Sequence, residues 1–233
     1  DDLSKYIPAS KYLFYSIQSL KKFIWYSEET DRFYKVEGYL NPYSDTIVPK
    51  ISDAFVWDQK ETGRKLIYGE NTWNEAKAWV SDGNSFALMG DGTNAFIYKF
   101  YVNNLEAKNC YRISSSVATD VLSADFYAFS STRSVLFYVK NNTLYAYNYD
   151  IGNERVDMIP LETTDEITML KFDLTMEPMK DALYIATYSA IEGGSLRKYY
   201  VGNNPDKVEL KSDPKAVWKG LTKVKNMSWR ALL

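Results

Sequence analysis

Histidine is absent from the 233 residues, and cysteine occurs once, as Cys110. Without imidazole there is no Ser-His-Asp or Cys-His nucleophile, no His-ligated zinc or iron, and no imidazole acid or base. One thiol forms neither an internal disulfide nor a thiolate metal cluster. Long apolar runs are missing too: stretches such as Val135–Val139 reach about five residues, against the roughly 20 that cross a bilayer as a helix. A charge excess is also lacking. Lys and Arg number 28 and Asp and Glu 30, net −2, with the bases scattered, which excludes a basic nucleic-acid face and a charged disordered tail. Gly90-Asp91-Gly92 has neither the spacing of a phosphate loop nor a following helix. No cofactor, no nucleic acid and no transmembrane segment in this chain are therefore expected, and any catalysis rests on carboxylates.

What is abundant is aromatic: Tyr 20, Phe 11 and Trp 6. Much of it alternates. Phe96, Tyr98 and Phe100, and again Tyr145, Tyr147 and Tyr149, recur at every second residue, the period of a pleated strand. Helical periodicity is nearly absent, and Asn74–Val80, with Asn74 as cap, is the best short helix. Strand pairs are separated by residues that tolerate left-handed backbone: Gly90-Asp91-Gly92, Asn141-Asn142 and Glu192-Gly193-Gly194.

Four hairpins align, with first strands beginning near Phe23, Phe86, Val135 and Ala182, roughly 50 residues apart. Short runs precede three of them (Leu66–Tyr68, Phe126–Phe129, Thr168–Phe172), and weaker strands follow (Tyr111–Ile113, Val156–Ile159, Val208–Leu210). Inner strand, hairpin, outer strand is the plan of a propeller blade. The sequence thus predicts an all-β, β-propeller-like fold of about four to five blades of antiparallel strands, residues 1–233 forming one domain. The segment 41–63, with Pro42 and Pro49, fits least and reads as an irregular insertion or a degenerate blade. The final run Val224–Trp229 has the look of a lone inner strand that completes the N-terminal blade.

The order of these runs carries a family resemblance. Asp125-Phe126-Tyr127-Ala128-Phe129-Ser130, then Val135–Val139 with Leu144–Tyr147, Glu166–Phe172, Leu183–Tyr188, Gly194-Ser195-Leu196 and Gly220–Trp229 form a succession. It resembles the C-terminal, propeller-like region of PKD-like family lipoproteins, encoded beside outer-membrane glycan-uptake loci in gut-type anaerobic bacteria. The resemblance covers roughly residues 85–230. It implies an exported protein of the periplasm or cell surface of a Gram-negative-type bacterium, lipid-anchored upstream of this chain, without an established enzymatic activity. This chain has neither the anchoring N-terminal Cys nor an evident Ig-type module, so the resemblance implies that it would correspond to the C-terminal portion only. The start Asp1-Asp2-Leu3 reads as a processed or trimmed product.

Three kinds of residue are candidates for function. Carboxylates at inner strands, Asp125 and Glu166, with Asp91 and Asp120 in a turn and a loop, are the only acid/base groups available to a glycoside hydrolase, which needs two about 5–10 Å apart. Asp82-Gly83-Asn84 and Asp91-Gly92-Thr93-Asn94 offer oxygen ligands but lack calcium-loop spacing and a closing Glu; they read as turns, and no metal is expected. Trp57, Trp73 and Trp79 fall in the irregular 41–84 stretch, where loop indoles stack on ligands, whereas Trp25 and Trp229 sit in strand runs. Two sequons, Asn141-Asn142-Thr143 and Asn226-Met227-Ser228, matter only in a glycosylating host. The leading expectation is a non-enzymatic binding module for a glycan or a protein of an uptake system. A carboxylate glycosidase and a structural interaction scaffold are the alternatives.

Overall fold

The computed structural model describes residues 13–16, 22–40, 47–53, 63–71, 84–101, 106–130, 133–150, 152, 154–174, 181–202 and 204–227. The Asn74–Val80 helix expected from sequence lies outside them, as do Trp57, Trp73, Trp79, Trp229 and Asp82.

Among the described residues, strands pair only with their sequence neighbours, giving four antiparallel four-stranded sheets. The first holds β1 (Leu13–Ser16), β2 (Lys22–Ser27), β3 (Arg32–Leu40) and β4 (Ile47–Asp53). The second holds β5 (Lys65–Asn71), β6 (Asn84–Gly90), β7 (Ala95–Tyr101) and β8 (Glu106–Arg112). Helix α1 (Ser115–Leu122) precedes the third, β9 (Phe126–Phe129), β10 (Val135–Lys140), β11 (Thr143–Asn148) and β12 (Arg155–Ile159). The fourth holds β13 (Glu166–Leu174), β14 (Asp181–Ser189), β15 (Gly193–Val201) and β16 (Leu210–Leu221). The chain divides into two compact units, Asp1–Ile113 and Ser114–Leu233, each with two sheets. No helix among the described residues is long and apolar enough to cross a membrane.

Turn chemistry explains the hairpins. Asn141 and Asn142 take φ of 50° and 57°, the two consecutive left-handed residues of a type I′ turn that matches strand twist. Gly92 and Gly193, at φ 93° and 73°, supply the same freedom in their hairpins. Asp91 closes its turn with side-chain bonds: Oδ1 accepts from the N–H of Thr93 (3.0 Å) and Asn94 (2.7 Å), and Oδ2 from Asn94 Nδ2 (3.0 Å). The Asn94 side-chain bond, with the two N–H bonds behind it, holds the Asp91 carboxyl down from 3.8 to about 2. Its folded value is the lower one, so the turn's stabilisation is present above pH 3.8 and is lost as pH falls through about 2. The Thr93 and Asn94 amide resonances will titrate with a midpoint near pH 2; a midpoint near 3.8 would show the turn unbonded in solution.

In the first unit, Tyr26 and Phe33 of the first sheet meet Ala87, Met89, Phe96, Tyr98 and Phe100 of the second. Ring centroids of Phe33 lie 5.0 Å from both Tyr26 and Phe100. The Tyr26 hydroxyl donates to Asp31 (3.0 Å) and accepts from the N–H of Leu66 (3.3 Å), tying the β2–β3 turn to β5. Buried Arg64 donates to Tyr98 Oη (2.9 Å) with its guanidinium 3.5 Å from the Phe96 ring centre. Most aromatics described here are core, as alternation implies.

In the second unit, the third and fourth sheets pack face to face through Val135, Phe137, Val139, Leu170, Phe172 and Ile185. The connector after β15 is fastened to the third sheet: Arg155 Nη1 donates to Pro205 O (3.1 Å), and Asp157 accepts from Val208 N (2.8 Å).

Three expectations change. Residues 47–53 pair with β3 as the fourth strand of the first sheet, with Pro49 tolerated on an edge strand. Asp120 lies on helix α1, exposed, and not in a loop. The run from Val224 takes no strand conformation over its described residues; Val224 and Met227 instead pack on Met169, Ala182, Tyr184 and Ala186 of the fourth sheet. The first sheet takes all four of its strands from residues 13–53, and burying Val224 and Met227 removes their apolar surface from water without a ladder.

Candidate functional site

Asp125 and Glu166 occupy matching places in consecutive repeats, one just before β9 and the other opening β13. The fold brings them to one depression of about 330 Å³, lined also by Phe126, Val139, Asn142 and Ile167. Its walls follow from the strands. Asp125 N donates to Val139 O (2.8 Å), carrying the β9–β10 ladder one residue past Phe126. The β10–β11 turn then leaves Asn142 at the rim, and a bulge between Ile167 and Met169 inserts Thr168 into β13. Thr168 Oγ1 is buried with no hydrogen-bond partner among the described residues.

Asn142 fixes the relation between the two sides. Its Oδ1 accepts from Ile167 N (2.7 Å), and its Nδ2 donates to the carbonyls of Thr164 (3.3 Å) and Asp165 (3.1 Å). One amide thus holds both the connector and the first turn of β13, which no local pattern reveals. Glu166 is 57% exposed, and both its oxygens accept from Lys223 Nζ at 2.9 Å. Lys223 also stands 5.3 Å from the ring centre of Tyr188, the residue paired with Glu166 across β13 and β14. An exposed ion pair of this kind contributes about 0–1 kcal/mol and yields readily to a competing ligand.

The remaining expected residues are elsewhere. Asp91 spends its oxygens inside its own turn, and Asp120 does not line the depression. Trp57, Trp73 and Trp79 lie outside the described residues. Trp218, which the strand pattern left unassigned, is 45% exposed on β16. Its position in a lysine-rich run, between Lys215 and Lys219, was the available signal.

Chemically the depression offers carboxylate oxygens of Asp125 and Glu166 beside the apolar Phe126, Val139 and Ile167, with the Asn142 amide holding the rim in place. Hydroxyl-rich ligands with one apolar face meet both demands. No group of three or more Asp, Glu or Cys among the described residues is placed to hold a metal ion.

No family model and no curated protein matches the sequence. Among solved structures, a hemopexin-fold protein from cow pea is similar over 91% of this chain and 94% of that one, with 10% identity and a TM-score of 0.31.

Proposed function

We propose that the chain is a non-enzymatic, β-propeller-like binding module, its four sheets serving as four blades, that holds a glycan in the depression between β9 and β13. The observation that carries this reading is the convergence of Asp125, Asn142 and Glu166 over apolar walls. Four successive four-stranded meanders support the blade assignment. Export and an upstream lipid anchor, with the glycan or a protein of an uptake system as partner, complete the proposal on the strength of the sequence resemblance.

Isothermal titration of the full chain with a panel of neutral oligosaccharides tests it. Asp125→Ala combined with Glu166→Ala is expected to weaken binding at least about tenfold, roughly 1.4 kcal/mol, with the melting temperature unchanged. Failure of every oligosaccharide to bind, or equal binding by the double variant, removes the depression as the site. Trp57→Ala, Trp73→Ala and Trp79→Ala in the same titration measure what these three indoles add. The proximity of Asp125 and Glu166 favours one second reading, a carboxylate glycoside hydrolase. Product release abolished by Glu166→Gln would establish that reading in place of the first.

A further inference from the structure

The fourth sheet has two faces with different chemistry. Tyr199 of β15 points into the core shared with the third sheet, so Leu196, Lys198 and Tyr200, out of phase with it, occupy the other face. Leu196 does meet Met169, Ala182, Tyr184 and Ala186 there. Across to β16, Leu196 pairs with Trp218 and Tyr200 with Lys211, and residues directly opposed project from the same face. The pairing shifts between Arg197 and Tyr199, where residues 213–216 of β16 bulge out, but the pairs on its two sides keep the face, which places Lys198, Tyr200, Lys211 and Trp218 on the side that Val224 and Met227 partly cover.

The side chains agree with this placement. Lys198 Nζ stands 4.8 Å from the Tyr200 ring centre, Lys211 is exposed with its stem beside Gly202, and Trp218 is 45% exposed. Neither lysine has a carboxylate partner among the described residues, and the nearby Glu209 is engaged by Lys207 at 3.0 Å. In a chain of net charge −2, two unneutralised ammonium groups flanking a phenol and an indole are a local reversal of sign.

We infer that this face is a second binding site, independent of the depression, for a linear anionic polysaccharide. Ring faces of Trp218 and Tyr200 take the apolar faces of sugar rings, and Lys198 and Lys211 meet the carboxylate or sulfate groups those rings carry. A neutral glycan leaves both ammonium groups without gain. A nucleic acid, with a charge on every nucleotide, calls for a longer basic track than two lysines.

The test is binding of the full chain to polygalacturonate, dextran sulfate, neutral dextran and duplex DNA. At least one of the two acidic glycans is expected to bind more tightly than neutral dextran and DNA, and the tighter one identifies the anion as carboxylate or sulfate. Trp218→Ala, and Lys198→Gln with Lys211→Gln, should each weaken it tenfold or more, and Lys198→Arg with Lys211→Arg should restore binding. Asp125→Ala with Glu166→Ala should leave it unchanged, so failure of this site and failure of the depression give different results. Equal binding of neutral dextran, tighter binding of DNA, no binding of either acidic glycan, or indifference to the Trp218 and lysine changes overturns the inference.

Discussion

Phe137→Ala will destabilise the second unit by about 4 kcal/mol, within the range of a buried phenylalanine truncated in a core. The ring is fully buried in β10 and lies 6.1 Å from Phe172 of β13, nearly parallel to it. Its neighbours in register are Ala128 on one side and Ala146 on the other. That arrangement sets the size of the effect. Two alanines flank the ring, so their methyl groups cannot reach into the space it leaves, and the ladder on both sides prevents the strands from closing over it. Hydrogen exchange of the β10 and β14 amides should accelerate by roughly a thousandfold. A loss under about 1 kcal/mol would mean that the third and fourth sheets do not share this core in solution. Phe137→Leu, which keeps most of the volume, should recover more than half of the loss.

Phe137 also shows what the sequence makes legible. Two short β-forming runs, 135–139 and 144–147, with two asparagines between them dictate a tight hairpin, and both asparagines take the left-handed backbone such a turn needs. Asp125 and Glu166 could be picked from the sequence, with Asp91 and Asp120, as acids at or near strand ends, but their meeting at one depression depends on how the third and fourth sheets pack, which the sequence does not give. Helix α1 was not readable. It spans eight residues, buries Ala118 and Val121, and follows Ser114, whose N–H donates to the Tyr147 hydroxyl (3.1 Å), while Tyr127 donates to the Val121 carbonyl. Both tyrosines come from later strands, so tertiary contacts, not propensity, support the helix. The Val224 run failed in the opposite way: a short run with the look of a strand serves a segment whose Val224 and Met227, three residues apart, cap the fourth sheet. Lys223, the partner of Glu166, follows from that capping and has no local signature.

The largest effect at the candidate site is expected from Asn142→Ala, about 3 kcal/mol. Alanine loses the acceptor for Ile167 N and both donors to Thr164 O and Asp165 O, each net bond contributing about 0.5–1.5 kcal/mol. It also places a Cβ without a compensating side chain at φ 57°, where asparagine is tolerated and alanine costs about 1 kcal/mol. Asn142→Gly separates these contributions, since it removes the bonds and relieves the backbone, and should be the milder change. Asn142→Asp is the sharper probe. Its geometry is nearly that of asparagine and it keeps an acceptor for Ile167 N, but it turns a carboxylate oxygen toward two carbonyls that had received N–H bonds. It should therefore destabilise despite its shape, and a silent Asp variant would show that the donor half of the clamp contributes nothing. In all three variants the Ile167 amide is the reporter: faster exchange there, ahead of the β14 and β15 amides, means that the start of β13 has come free. Because Glu166 is the residue before it, ligand affinity at the depression should fall by more than stability alone explains, with Asp125 left in place on the other wall.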